Sequence, residues 1–180
     1  MRKTILPVLS LTLYSFAMPP NSLANPINLA TLLRLPQNSA KEPLRPFKPI
    51  NGISGPTIEA ISFVESSFNP RAIAYNPHAQ KKYGKMGSAA HGLMQVRGLY
   101  AGTPICPEAT KYTDLYNPVI NLKCGSRLLR YELDRHENDL SLALAAYYAG
   151  PKCTKGGVVC DAAKGYVNKV LMILSKSLTK

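Results

Sequence analysis

The chain has 180 residues, 46% of them hydrophobic, which is enough for one domain with a buried core and hardly enough for two. It carries 22 Lys and Arg against 10 Asp and Glu, a net charge of +12; this excess either serves solubility alone or favours nucleic acid, an anionic membrane face or an acidic cell-wall polymer as the partner. Because Trp is absent and the basic and aromatic residues form no recognisable nucleic-acid motif, we exclude a nucleic-acid partner.

The N-terminus has the organisation of a secretory signal peptide. Arg2 and Lys3 precede the apolar run TILPVLSLTLYSFA, and Ser22 and Ala24 are the small residues of a cleavage site. An uncleaved anchor is the alternative, but the run is shorter than the ~20 residues that span a bilayer. We therefore expect residues 1–24 to be a signal peptide, and the mature protein to be periplasmic or secreted with no stable membrane anchor.

Residues 25–55 carry prolines too closely spaced for a regular element, and we interpret them as a Pro-rich tether. The remainder, 56–180, is predicted to be the functional domain, because a helical period begins at Pro56. The first helix, PTIEAISFVESSF, has Pro in its first turn and ends before Pro70. A second short helix is predicted for HGLMQVRGLY.

Three further helices follow. NPVINLKCGSRLLRYELDRH carries one helical stripe, formed by Val119, Leu122, Ser126, Leu129 and Leu133. DLSLALAAYYAGP begins with Asp139 as its N-cap and stops at Gly150. AAKGYVNKVLMILSKSL repeats the helical pattern. No sustained apolar alternation typical of strands is present, so the predicted fold class is all-α or nearly so.

An even number of cysteines in an exported protein fits two disulfides. Four cysteines permit three pairings, and we favour Cys106 with Cys124 and Cys153 with Cys160, since each pair closes a local loop. A metal site is the weaker alternative, because neither pair has CxxC spacing and the histidines are scattered. The sequence predicts no metal and no cofactor.

Glu65 occupies an unexpected position in the first helix. At about 100° per residue, it lies within the apolar arc that includes Ile58 and Ile61. Glu59 points the other way. Since an apolar wall penalises the charged form of a carboxyl group and raises its pKa, Glu65 is a candidate general acid. A glutamate held by a structural hydrogen bond is the alternative.

Five motifs occur in order along the domain: ESSFNP at 65–70, GLMQV at 92–96, NPVINLKCG at 117–125, LAAYYAGP at 144–151 and GYVNKVL at 165–171. This order resembles that of the soluble lytic transglycosylase family, over roughly residues 56–174. The resemblance implies an SLT-type catalytic domain with a goose-type lysozyme-like fold, that is, a helical domain with a glycan-binding cleft.

The family resemblance also implies a reaction. It implies cleavage of the β-1,4 bond between N-acetylmuramic acid and N-acetylglucosamine, with formation of a 1,6-anhydro ring. Glu65 matches the family's single glutamate, which first acts as acid and then accepts the proton of the attacking C6 hydroxyl. The implied partner is therefore the peptidoglycan glycan strand, and the short domain with its tether weakly favours a specialised role beside an envelope-spanning secretion, conjugation or pilus machine.

The resemblance supplies several candidate substrate-binding residues. Gln95 and Met94 match groove positions, where an amide binds an acetamido group and a thioether packs on a sugar or stem peptide, with core packing the alternative for Met94. Ser66 is expected to orient the acid or to cap the helix. Ser88 is a modest candidate for a substrate hydrogen bond.

Tyrosines complete the candidate set. Tyr147 and Tyr166 match family positions, and either phenol could donate a hydrogen bond to the glutamate. Tyr148 stands where the family usually has asparagine, which puts substrate affinity or subsite specificity in question. The segment 74–90 is longer than the usual connection. Its lysines and tyrosines predict a basic, aromatic flap over the glycan, a docking surface for another protein, or a solvated loop.

Two other classes of function stay open at this point. A true hydrolase would need a second carboxylate to position water, and only Glu108 and Asp114 look free to reach a cleft. A non-catalytic peptidoglycan-binding scaffold is the other class, with Tyr148 favouring binding over turnover.

Overall fold

The computed structural model describes residues 47–178. The predicted signal peptide and most of the predicted tether lie outside this range. The elements are α1 (Gly55–Ser66), β1 (Ile73–Ala74), α2 (Pro77–Ser88), β2 (Ala90–His91), β3 (Val96–Arg97), α3 (Pro118–Arg135), α4 (Leu140–Ala149) and α5 (Asp161–Leu178). The domain is a helical, lysozyme-like fold with a small sheet, which confirms the predicted fold class. None of the helices in the described part is long and apolar enough to cross a membrane.

Helix α1 begins close to its predicted start. The side chain of Ser54 accepts a hydrogen bond from the backbone N–H of Thr57, and a proline lies in the first turn. The helix ends at Ser66, earlier than predicted, because Ser67 (φ 50°) and Phe68 (φ 63°) adopt left-handed backbone conformations. Glu65 is consequently in the last turn of α1, where the chain leaves the helix.

The described end of the predicted tether packs onto the helical domain. Phe47 and Ile53 belong to the hydrophobic core. The backbone of Phe47 lies so close to Gly55 that a Cβ at Gly55 would be 1.5 Å from the Phe47 carbonyl oxygen. Only glycine fits there, so residues 47–55 are seated against the start of α1.

The predicted helix over HGLMQVRGLY is wrong. The segment forms β2, a tight turn, β3 and a 3₁₀ turn over Gly98–Tyr100. Gly92 (φ 75°) and Gln95 (φ 49°) take left-handed conformations, and the Gln95 N–H donates to the Gly92 carbonyl at 3.3 Å. The spacing of the apolar residues could not reveal this turn, because the turn depends on left-handed backbone conformations at two positions and not on which residues are apolar.

The three strands form an antiparallel sheet in the order β1-β2-β3. Each strand has only two residues, too short to show the alternation by which strands are recognised. Ile73 pairs with His91, and Ala90 pairs with Arg97. The sheet thereby brings the start of the Gly92–Gln95 turn beside the chain that follows α1.

Helices α3, α4 and α5 form the rest of the core. Helix α4 packs against α3 and α5, and α1 packs against α5. The predicted α3 stripe is buried at Leu122, Leu129 and Leu133, whereas Val119, also assigned to it, is 50% exposed. The predicted N-cap of α4 is confirmed, since the Asp139 Oδ1 accepts from the Leu142 N–H at 2.9 Å.

Both favoured disulfides are confirmed. Cys106–Cys124 joins the loop after β3 to α3. Cys153–Cys160 closes the connection between α4 and α5. The two bridges fasten the loops that border the helical core.

Candidate active site

Glu65 combines partial exposure with a perturbed pKa. Its side chain is partly buried at the end of α1. Loss of solvation raises its pKa from the ordinary 4.5 to about 7, against a smaller lowering effect of the Tyr166 phenol. The carboxyl group can therefore carry a proton near neutral pH while remaining reachable from solvent.

Two tyrosines from different helices lie beside Glu65. The Tyr147 hydroxyl donates to the Met94 carbonyl at 2.6 Å, so its proton is not available to the carboxylate. The Tyr166 hydroxyl is buried without a hydrogen bond of standard geometry to any described residue, and it interacts with Glu65. Of the two predicted donors, only Tyr166 has a hydroxyl that can donate a hydrogen bond to the Glu65 carboxylate. Burial and the nearby carboxylate raise the pKa of both phenols, which keeps them neutral.

Tyr148 contacts Tyr166 rather than standing free in the cleft. Their rings are stacked, with centroids 4.5 Å apart and planes 12° from parallel. Tyr148 is partly buried and packs against the core. The residue that replaces the expected asparagine is therefore joined to the Glu65 surroundings through Tyr166.

Met94 does not line a groove. Its side chain is fully buried, and its sulfur fills the space beside Gly125, where a Cβ would lie 2.6 Å from Sδ. The structure thus supports core packing, the alternative reading of this methionine, and not contact with a sugar. Gly125 is the residue on α3 that makes room for it.

The hydroxyl groups of the two candidate serines, Ser66 and Ser88, also form hydrogen bonds within the protein. The buried Ser66 hydroxyl lies 3.0 Å from the Ser62 carbonyl and 2.8 Å from the Leu93 carbonyl. It ties α1 to the Gly92–Gln95 turn, and neither caps the helix nor orients the acid. Ser88 is 2% exposed, and its hydroxyl donates to the Lys85 carbonyl at 3.0 Å. Neither hydroxyl is presented to a substrate.

Gln95 keeps one polar atom for a ligand. Its amide nitrogen donates to the Gly92 carbonyl at 2.9 Å and to the Ala72 carbonyl at 3.3 Å. Its side chain is partly exposed, and no hydrogen bond from the described residues reaches its amide oxygen. That oxygen can accept a hydrogen bond from the N–H of an acetamido group.

Asn121 is a site residue that sequence reasoning missed. It is fully buried on α3, donates to the His91 and Leu115 carbonyls at 2.7 and 2.8 Å, and accepts from the Met94 N–H at 2.8 Å. Two of these bonds hold Met94 of the turn and His91, the residue before it, and the third joins the same side chain to the segment around Leu115. The signal was present, since an asparagine stands beside the apolar stripe within NPVINLKCG.

Neither candidate second carboxylate is free. Glu108 makes two hydrogen bonds to the Arg127 guanidinium, at 2.8 and 3.0 Å, which lower its pKa to about 2. Asp114 accepts from the backbone and hydroxyl of Thr110, both at 2.9 Å, and from the Lys111 N–H at 3.2 Å. No carboxylate of residues 47–178 contributes to the pKa shift of Glu65.

The segment 74–90 forms α2, a mostly exposed helix that we call the flap, over residues 77–88. Its helix is interrupted at Gly84 (φ 70°, ψ 168°). The Lys85 ammonium lies 4.9 Å from the Tyr75 ring centroid, and the Lys82 ammonium 5.1 Å from that of Tyr83. Most of the segment is thus a helix and not a solvated loop, and two of its lysines lie against tyrosine rings.

Comparison with known proteins assigns the fold a family. A family model described as "Transglycosylase SLT domain" matches residues 48–164. The chain is 32% identical over 110 residues to a protein of Enterobacteria phage PRD1 described as "Transglycosylase", an alignment that covers 61% of this chain and 34% of the phage protein. The chain thus spans about a third of the length of that relative. No solved structure matches the chain.

Proposed function

The chain belongs to the SLT transglycosylase family, and from this premise we propose that it is a secreted lytic transglycosylase of peptidoglycan. Its substrate is the glycan strand, in which it cleaves the β-1,4 bond between N-acetylmuramic acid and N-acetylglucosamine. Its product carries a 1,6-anhydro-muramyl end.

Glu65 carries the chemistry in two proton transfers. In the first, the protonated carboxyl gives its proton to the bridging glycosidic oxygen while the bond from that oxygen to C1 of the muramyl residue breaks. In the second, the C6 hydroxyl oxygen of the same sugar bonds to C1, and its proton passes to the Glu65 carboxylate. The acid is restored, and no water is consumed.

The observation that carries this proposal is the Glu65 carboxyl: its pKa is about 7, two neutral phenols interact with it, and no other carboxylate of residues 47–178 affects it. A hydrolase would need a second acid to position water, and Glu108 and Asp114 are both engaged in bonds within the protein. These bonds favour one carboxylate acting twice over a pair of carboxylates.

The proposal also includes contacts with the glycan and the location of the protein. The Gln95 amide oxygen binds an acetamido N–H of the glycan, and the basic flap faces the anionic wall. Two disulfides support an oxidising, extracytoplasmic location. A specialised role beside an envelope-spanning machine rests on the short domain and the tether alone.

The test is mass spectrometry of fragments released from purified peptidoglycan sacculi by the chain without residues 1–24. Anhydro-muropeptides are expected from the wild type, and Glu65→Gln is expected to reduce their release by about 10²- to 10⁴-fold. Glu59→Gln is the matched control, since it alters a carboxyl on another side of the same helix. Reducing muramyl ends would indicate a hydrolase, and no fragments from any variant would indicate a scaffold.

A further inference from the structure

Two adjacent tyrosines of helix α4 contact two different parts of the candidate site. Consecutive helical residues diverge by about 100°. Tyr147 reaches the backbone of the Gly92–Gln95 turn, and Tyr148 reaches the ring of Tyr166 on α5. The two phenols next to Glu65 are therefore held in different ways, one by a hydrogen bond and the other by a stack.

The Tyr166 hydroxyl interacts with the Glu65 carboxyl and has no further anchor among the described residues. It is buried without a hydrogen bond of standard geometry in the described part of the chain. Buried polar groups are ordinarily bonded; among the described residues this hydroxyl interacts with the Glu65 carboxyl and with no second polar group, so packing of the ring is left to hold the phenol in place. Its stack with Tyr148, at 4.5 Å and 12°, lies in the range of favourable aromatic pairs.

Tyr148 is also placed to keep water from this contact. It is partly buried, whereas Tyr166 is 8% exposed, so the more exposed ring of Tyr148 covers one face of the nearly buried Tyr166 ring. Asparagine, the usual family residue, has neither the area nor the aromatic face for this. Glu65 and Tyr166 affect each other's pKa, and Tyr147 and Tyr148 also raise the pKa of Tyr166. Besides Glu65, no charged side chain of residues 47–178 acts on this pair.

We propose that Tyr148 is a positioning residue: its ring holds the Tyr166 phenol against Glu65 and shields that pair from water. The inference rests on the proposed function, in which Glu65 is the acid. From the sequence, Tyr148 is a candidate substrate-binding residue because it replaces the usual asparagine; here its ring has a different part, since the stack on Tyr166 is the contact that the ring makes.

Three substitutions of Tyr148 distinguish the effect of its aromatic ring from the effect of its hydroxyl group. Tyr148→Phe keeps the stack, Tyr148→Leu keeps apolar volume without an aromatic face, and Tyr148→Asn restores the usual family residue. Thermal melting identifies variants that fold. If Tyr148→Asn does not fold, Tyr148→Leu takes its place in every comparison.

The first measurement is the titration of Glu65 by carboxyl ¹³C NMR in the folded protein without substrate. Tyr148→Phe should titrate like the wild type. Tyr148→Asn admits water, and since burial is the main cause of the raised pKa, the pKa of Glu65 should fall by at least about 0.5 unit. An unchanged pKa in Tyr148→Asn would overturn the proposal. A raised pKa would overturn the shielding of the pair from water, because it would mean that only the lowering effect of the Tyr166 phenol had been lost.

The second measurement is the rate of anhydro-muropeptide release against pH. Glu65 must begin protonated, so activity is lost as pH rises through its pKa. We expect this loss at lower pH in Tyr148→Asn, with kcat reduced about tenfold and KM changed less than about twofold. Equal damage in Tyr148→Phe, or a change in KM alone, would mean a substrate contact and overturn the proposal.

The two measurements keep this inference separate from the proposed function. If the wild type releases no anhydro fragments, the proposed function fails, while the NMR titration still shows whether Tyr148 shields Glu65. If anhydro fragments are released and all three variants titrate and react like the wild type, the function stands and the role of Tyr148 is refuted.

Discussion

The flap at 77–88 and the turn at Gly92–Gln95 are separated along the chain by little more than strand β2, but different forces hold them. The turn is tied by buried hydrogen bonds from three elements: the side chains of Ser66, Asn121 and Tyr147 all bond to its backbone or to that of His91. The flap is mostly exposed, and lysine–tyrosine contacts lie along its surface. Polar residues of the motifs thus serve to fix backbone, whereas the lysines of the flap are exposed to solvent.

The turn should be the more costly of the two to disrupt. Replacing Asn121 by Ala leaves the His91 and Leu115 carbonyls and the Met94 N–H without their partner. Since each unsatisfied buried group costs roughly 1–3 kcal/mol, we expect the free energy of unfolding to fall by about 3–5 kcal/mol in urea denaturation. Asn121 is fully buried, so water cannot replace these bonds without rearrangement.

Asn117→Ala is the matched control on the same helix. Asn117 is exposed, and its side chain caps α3 by accepting from the Val119 and Ile120 N–H groups at 3.0 and 3.3 Å. Loss of a cap costs about 1 kcal/mol. If Asn121→Ala is no more destabilising than Asn117→Ala, the turn is not held in the way we describe.

The difference between turn and flap also explains which parts of the molecule the sequence could predict. The side of α1 that carries Glu65 and the N-cap Asp139 follow from local period and local chemistry. The roles of Met94 and Asn121 do not, because they depend on a turn whose left-handed residues, Gly92 and Gln95, break the local pattern. The stack of Tyr148 on Tyr166 likewise requires knowing how α4 and α5 cross.

The disulfides should contribute the next largest effect. Cys106 and Cys124 are separated by 18 positions and Cys153 and Cys160 by 7, so loop closure predicts about 3 and about 2.5 kcal/mol respectively. Dithiothreitol should therefore lower the melting temperature of the wild type. The Cys106→Ala, Cys124→Ala double variant should lose more stability than the corresponding variant of the other pair.

An unchanged melting temperature after reduction would contradict this expectation, provided that mass spectrometry shows four alkylated cysteines. Because Cys124 lies on α3 near Asn121, loss of the first bridge also loosens the support of the turn. The second bridge closes a connection far from the turn in sequence, and its loss should leave anhydro-muropeptide release less affected.

Glu65 itself should destabilise the fold when it ionises. Its pKa is about 7 in the folded chain and ordinary when unfolded, so the folded state binds more protons between pH 4.5 and 7. Stability therefore falls as pH rises through this window and stays lower above it. Relative to the wild type, Glu65→Gln should gain about 2–3 kcal/mol between pH 4 and pH 8, measured as unfolding free energy in urea at both values.

The control is again Glu59→Gln, measured at the same two pH values; an equal gain in both variants would mean that the effect does not belong to Glu65. A Glu65→Gln variant whose stability follows the pH dependence of the wild type would show that the carboxyl is fully solvated. Such a result would remove the physical basis for an acid that is protonated near neutral pH.

Substitutions in the flap should have the smallest effect on the free energy of unfolding, but they should weaken binding to the cell wall. Lys85 is exposed, and its contact with the Tyr75 ring is of a kind worth about 0.5–1 kcal/mol at a surface. Lys85→Ala should therefore change the unfolding free energy by less than about 1 kcal/mol. If the flap faces an anionic glycan, the same change should weaken cosedimentation with sacculi at low salt, with the difference shrinking as salt screens the charge. Lys152→Ala, which removes an exposed lysine from the connection between α4 and α5, controls for net charge; an equal loss of binding in both variants would mean that the flap has no special part in holding the wall.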